Sequence, residues 1–470
     1  MLGEIFDLIY NIFNPLPAKF MNYYYPLFFL INILLLIYFL KNNKKQINEI
    51  KKLISKKSII ILIFILSIST FNMLYCMNPD NNLPPVGTDI MDETENYYNN
   101  LHFNKIGRPM GVSTILIVLQ IIPINISYLM SIIGIFFQLL TTLMLYLLFK
   151  KNIKNESVSI LGCLLFSFSY SIINYFSSEI SGLVISTFSI TLLALLYSLN
   201  NKDTKTLLFA TTLTLFGRVE NIIFILIFLY HYYNNKINWK YLIAGYLLLL
   251  PNIEVARYWK WYTEPQHGFA FGINNILNRF ISFFTIIFNE FTFLIILLII
   301  GIYFNRKKII IWIPILLIIF LLFFQQYEHI HLRYLIPLFP IFYLFITSSK
   351  NLIKNKWIFI IIFILLSLNL NFIFFEKIED NYFIRVNKEA SNLTKDTTIL
   401  YTYDKLGKYF SKYYNNVTVI PTPSNKYPGK FEYLVDLSEY EYSKKQIEKD
   451  LKLNLTLIKD MGITTVYKIN

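Results

Sequence analysis

The chain has 470 residues, 55% of them hydrophobic and only 15% charged, with a formal net charge of +14 and a mean hydropathy of +0.48. Soluble domains carry about 25% charged residues, so this composition excludes an ordinary water-soluble globular protein. Two cysteines exclude a disulfide framework and a cysteine-based metal site.

The opening MLGEIFDLIYNIF carries Glu4 and Asp7 and no basic start. That is not the pattern of a cleaved signal peptide, and its apolar spacing predicts a helix lying at the membrane surface. Apolar runs follow at about 22–40, 58–76, 126–149, 157–175, 180–199, 205–217, 219–232, 238–251, 281–304, 309–325, 333–348 and 357–375. The longer ones reach across about 30 Å of hydrocarbon. They are read as helices, because lipid satisfies no backbone polar group. The runs at 205–217, 219–232 and 238–251 are short, so broken or re-entrant pieces stay open there. The expectation is a polytopic α-helical membrane protein of about twelve spans. Cys76 and Cys163 fall in or beside such runs and read as small apolar residues.

Charge sorts the connections. Loop 41–57 has seven Lys and one Glu, and loops 150–157, 200–205, 233–240, 305–308 and 349–356 are each basic. In a twelve-span path they share one side, which the excess of Lys and Arg makes cytoplasmic. The net charge is therefore mostly a topology signal and does not point to nucleic acid. The opposite side holds the loop 77–112, where five acids face Lys105 and Arg108.

Residues 376–470 differ in kind, with 15 Lys/Arg against 13 Asp/Glu. Strand-like alternation at 397–404, 416–421 and 431–437, helix-like stretches at 405–414 and 442–452, and a closing hairpin over 454–459 and 463–468 predict a small extracytoplasmic α/β domain. Asn392, Asn416 and Asn454 head N-x-Thr sequons there, so glycosylation is sterically open. The chain thus divides into 1–57 (surface segment, extra span and basic loop), 58–375 (transmembrane body) and 376–470.

The densest acidic stretch is TDIMDETENYYNN at 88–100, with Asp89, Asp92, Glu93 and Glu95. One reading is a solvated loop. A second is a general base: a carboxylate at a membrane interface can take the proton of an attacking hydroxyl. A third is a divalent ion held with His102, His267, His329 or His331. Charged residues near the membrane edge mark pathways or sites, and Arg218, Glu220, Glu328, His331 and Arg333 qualify. Local ion pairs that lock two helices are the plainer reading of Arg218 with Glu220 and of Glu328 with Arg333. Glu290, inside the run 281–304, reads as a polar contact between helices or a site lining.

Taken in order, these features resemble the GT-C glycosyltransferases, in the branch of protein O-mannosyltransferases and aminoarabinose transferases. Asp92-Glu93 with Tyr97 follows a span, and FNKIGRPMG brings Lys105, Arg108 and Pro109. Arg218-Val219-Glu220 lies between short runs, with Val where the family often has Pro. HLRYLIPLFP supplies Arg333, Tyr334, Pro337 and Pro340 before a small outer domain. The resemblance covers about 58–470 and leaves 22–40 as an extra span.

It implies an inverting transfer of a sugar from a polyprenyl or dolichyl phosphate to an acceptor hydroxyl (glycan, lipid or protein) on the outer face of the cell membrane. It also implies Asp92 as the base and Glu93 as its helper. Tyr97, Lys105, Arg108, Arg218, Glu220, His331, Arg333 and Tyr334 are the implied substrate-binding set, and no cofactor is implied, with a divalent ion as the open alternative. A ligase or polymerase using a lipid diphosphate, and a twelve-span transporter, are the rival readings; no internal repeat supports the second.

Overall fold

The structure is a computed structural model that describes residues 34, 48, 56–82, 122–177, 273–307, 312–324, 330–394, 397–402, 410–422, 425–437, 444–462 and 464–470. The chain separates into two compact units. Residues 1–77 and 90–376 form a helical unit, and residues 78–89 and 377–470 form an α/β unit.

The helical unit contains α1 (Lys56–Cys76), α2 (Ile126–Ile153), α3 (Glu156–Phe168), α4 (Tyr170–Ser177), α5 (Ile273–Phe291), α6 (Leu294–Asn305) and α7 (Trp312–Phe324). α8 (Leu332–Leu335) runs through a 3-10 turn into α9 (Phe339–Ser348), and α10 (Lys356–Ser367) follows. Three helices among the described residues are long and apolar enough to cross a membrane: Ile59–Cys76, Ser127–Ile153 and Leu332–Asn351. A fourth crossing is counted only if α5 and α6 act as one.

Local sequence explains the ends. Asn125 caps α2 by accepting from the Ser127 amide at 2.9 Å, and Lys154, with φ 55, closes it through its N–H to the Lys150 carbonyl. Asn155 caps α3, and Lys150 pairs with Glu156 across the turn at 3.3 Å. Capping carboxamides satisfy amides that a helix start leaves without partners.

Three of the runs are not the simple spans that hydropathy predicts. The run 157–175 breaks at Ser169, where an isolated antiparallel bridge joins Phe372. The run 357–375 is helical only over α10. After a turn at 368–370, the chain around Phe372 pairs with the break: Tyr170 donates to the Asn371 carbonyl and Ile373 to the Phe168 carbonyl. Asn72 of α1 grips the same chain at two points, donating to the Ile373 carbonyl at 3.1 Å and accepting from the Phe375 amide at 2.7 Å. The run 281–304 turns by 109° between α5 and α6, through Thr292 at φ 42.

Close helix contacts rest on small residues, as in membrane bundles generally. A side chain at Gly134 would meet the Phe176 carbonyl, and one at Gly301 the Phe345 carbonyl, each at 1.8 Å. Cys76 and Cys163 are free and buried.

The α/β unit begins with a 3-10 turn, Pro79–Asn82. Asn78 donates to the Ile378 carbonyl and to Asp380. Asn81 donates to the Glu379 carbonyl and accepts from the Asn381 amide, the same two-point grip that Asn72 makes. α11 (Tyr382–Leu393) precedes β1 (Thr398–Thr402), β2 (Val417–Pro421), β3 (Tyr433–Asp436), α12 (Lys444–Leu451), β4 (Leu455–Asp460) and β5 (Thr465–Ile469).

The sheet order is β2-β1-β3-β5-β4. β1 runs parallel to β2 and β3, while β5 is antiparallel to both β3 and β4. One face buries Leu400, Val435 and Val466 under Ala390, Phe410 and Tyr414. The other buries Ile399, Tyr401, Ile420, Leu434 and Tyr467 under Ile447 and Leu451 of α12. The strands and the closing hairpin lie within a residue or two of their predicted positions. Within 405–414, Ser411–Tyr413 forms a 3-10 turn and 403–409 lies outside the described residues. α11, for which the sequence reading names no element, contributes Ala390 to one face.

Candidate functional site

Of the ten residues singled out, the structure describes His331, Arg333 and Tyr334. Asp92, Glu93, Tyr97, Lys105, Arg108, Arg218 and Glu220 lie outside the described residues, as do His102, His267, Glu328 and His329.

The three described residues sit together at the head of the span Leu332–Asn351. His331 is exposed and holds the cap position of α8, with φ −84 and ψ 145. Its carbonyl accepts from the Tyr334 amide at 3.0 Å, and its ring lies 6.2 Å from that of Tyr334. The Arg333 guanidinium donates to the Tyr334 hydroxyl at 3.2 Å and lies 5.0 Å from the ring centre. Pro337 and Pro340 are the second residues of the 3-10 turn Ile336–Leu338 and of α9, within a first turn, where proline is tolerated. The result is a partly exposed cation steadied by a tyrosine at the start of an apolar helix. A planar guanidinium in that position suits two oxygens of a phosphate.

A groove of about 280 Å³ lies along one face of α5. Asn278, Ile281, Ser282, Thr285 and Ile286 line it together with Ile330. Ile330 is the residue before His331. On the same helix, Arg279 is fully buried and donates to the Leu322 carbonyl of α7 at 3.0 Å. The sequence reading places Arg279 in the loop before the run 281–304, because hydropathy marks where apolar residues begin and α5 begins earlier. The signal available was the 3- and 4-residue spacing of Leu277, Phe280, Ile281 and Phe284.

Deeper in the helical unit, the Ser171 hydroxyl lies 2.7 Å from both oxygens of Glu290. This ties α4 to α5 just before the 109° turn. The expectation that Glu290 makes a polar contact between helices matches this geometry. Among the described residues no group of three His, Cys, Asp or Glu side chains could hold a metal ion.

In the α/β unit the tyrosines carry the electrostatics. Burial pushes the Tyr413 hydroxyl above its ordinary range, and the charges of Asp80 and Asp380 add to the shift. Burial does the same to Tyr414, whose hydroxyl donates to Asn387 at 2.8 Å.

No protein-family model matches the chain, and no curated protein matches it in sequence.

Proposed function

We propose that the protein is a GT-C-like inverting glycosyltransferase of about twelve spans, with the α/β unit outside the cytoplasm, that moves a sugar from a polyprenyl or dolichyl phosphate to an acceptor hydroxyl. In the proposed reaction the acceptor oxygen attacks the anomeric carbon. Asp92 takes the hydroxyl proton, the bond from that carbon to the phosphate oxygen breaks, and the electron pair leaves on the lipid phosphate. Arg333 and His331 face the growing phosphate charge with Lys105, Arg108 and Arg218. Fixed cations act there because the charge develops in the transition state. Glu93 supports Asp92, and Tyr97, Glu220 and Tyr334 complete the substrate contacts.

The observation that carries the reading is the head of the span Leu332–Asn351. Arg333 is steadied on Tyr334, and the neighbouring residue Ile330 lines a groove of mixed polar and apolar residues on α5. A lipid phosphate needs a groove beside its chain and a forked cation at its head.

The test is transfer of radiolabelled sugar from a polyprenyl phosphate donor in membranes carrying the full chain. Asp92→Asn is expected to lower the rate about 10²–10⁴-fold, the usual contribution of a general base. Arg333→Ala is expected to lower it about 10²-fold or more, as for loss of one charge-stabilising donor. Full activity in Asp92→Asn, at wild-type expression, overturns the assignment of the base. Labelled solute uptake into vesicles without a covalent product overturns the whole reading.

A further inference from the structure

We infer that the α/β unit is an acceptor for N-linked glycans at Asn392, Asn416 and Asn454, three exposed asparagines that the fold gathers at the amino-terminal end of its sheet.

The topology gathers them. β1 runs parallel to β2 and β3. β4 points the same way, because β3 and β4 are both antiparallel to β5. The starts of four strands therefore lie at one end of the sheet. Asn416 directly precedes β2, and its carbonyl accepts from the Thr398 amide at the start of β1. Asn454 directly precedes β4, and its carbonyl accepts from the Asn470 amide at 3.0 Å. Asn392 lies in the last turn of α11. That helix starts at the carboxyl end of the strands, where the Tyr382 hydroxyl donates to the Met461 carbonyl just past β4 at 2.8 Å. Its twelve residues span about 18 Å, which returns Asn392 to the end where β1 starts.

Five N-x-Ser/Thr sequons occur in the chain, headed by Asn125, Asn155, Asn392, Asn416 and Asn454. The structure separates them. Asn125 and Asn155 belong to the helical unit and cap α2 and α3 through their side-chain oxygens. Among the described residues, the carboxamides of Asn392, Asn416 and Asn454 make no hydrogen bond, and all three residues are exposed. Asn416 holds φ 43, a turn conformation that asparagine tolerates better than most side chains do. An unengaged carboxamide at the surface is what the modification requires, since a glycan is bulky and must stand in water.

The step is a substitution carried out by a separate transferase. The asparagine Nδ2 bonds to the anomeric carbon of a lipid-linked oligosaccharide and gives up one proton to the transferase. The bond from that carbon to the phosphate oxygen breaks, and the lipid phosphate leaves with the electron pair. Thr418 and Thr456, the third residues of two sequons, lie within β2 and β4, so these sites are reached before the sheet closes. β2 and β4 are also the two edges of the sheet. Unpaired edges invite pairing with another chain, and Leu457 and Ile458 are exposed on one of them. A glycan at the head of each edge strand obstructs that pairing. The inference rests on one part of the reading above, the placement of the unit outside the cytoplasm.

The experiment is peptide mass spectrometry on the full chain purified from the membranes of its own cells. Sugar is expected on at least two of the peptides that contain Asn392, Asn416 and Asn454, and on neither Asn125 nor Asn155. Thr418→Val keeps Asn416 and its turn. It is expected to reduce sugar at Asn416 to background while the other sites keep theirs. Sugar missing from two of the three sites, sugar retained at Asn416 in Thr418→Val, or equal occupancy at Asn125 or Asn155 would overturn the inference. Sidedness is read separately with Lys445→Cys, an exposed position on α12, because Cys76 and Cys163 are buried. A membrane-impermeant maleimide applied to intact cells is expected to label it. Labelling together with sugar-free peptides sinks the glycan inference and leaves the transferase reading standing. No labelling sinks both the inference and the outer placement of the unit.

Discussion

Along α1 of the helical unit, Ile60, Ile63, Phe64 and Phe71 are exposed while Ser69 and Asn72 are fully buried. Along β1 and β3 of the α/β unit every side chain is buried, and the charged residues of α12 face outward over Ile447 and Leu451. Large apolar side chains face outward along α1, whereas the helix α12 faces its charges outward and its apolar residues inward. The difference teaches which solvent each unit is built for. Exposed Ile and Phe are costly in water and neutral in lipid. Buried hydroxyls and carboxamides hold helices together where no hydrophobic force does so.

Three sets of measurements break or sharpen that comparison. The largest effect is expected at Gly301, where α6 touches the Phe345 carbonyl. Gly301→Leu should cost about 3 kcal/mol or more, read as loss of monodisperse protein after detergent extraction. Gly429 of the α/β unit has φ +147 and open space around it. Gly429→Ala should therefore cost only the backbone strain, about 1–3 kcal/mol.

Next comes the solvent itself. Phe64 and Leu457 are exposed to similar extents, 63% and 52%. Phe64→Asp should cost about 2.5–3.5 kcal/mol of membrane insertion, whereas Leu457→Asp should change stability by no more than about 0.5 kcal/mol. Insertion assays and thermal melts measure the two. Equal effects would mean that α1 does not face lipid.

The smallest effect is a pH dependence confined to the α/β unit. Tyr413 holds its proton more tightly folded than unfolded. Its contribution to stability is therefore complete below the unfolded value near 10.0 and is lost as pH rises through the folded one. Unfolding of the full chain, followed by tyrosine absorbance, should ease above about pH 10, and Tyr413→Phe should flatten that slope. An unchanged slope would put the titration elsewhere.

Much of this was legible in the chain. Hydropathy located α1, α2 and the span Leu332–Asn351, because about twenty apolar residues in a row have few other structures open to them. Alternation located all five strands. The turn at Thr292, the break at Ser169 and the turn after Ser367 were not legible, since each lies within an apolar run that reads as continuous helix. The Asn residues show the same limit. In a chain rich in asparagine none stands out, yet Asn72 and Asn81 each grip a strand of main chain some 300 positions away. The same blindness applies to the candidate site. His331, Arg333 and Tyr334 were visible as a motif, whereas the groove beside them arises from α5 and Ile330, brought together by packing.

By itself the sequence determined the two solvents, the apolar helices, the strand order along the chain and the residue types available for phosphate and proton chemistry. These follow from composition and short-range periodicity, which need no knowledge of neighbours. Only the tertiary structure decided where helices bend, which carboxamides clasp which main chain, and that Ile330 and α5 line one groove. Those depend on contacts between residues far apart in the chain, and burial and pairing exist only once the chain has closed on itself.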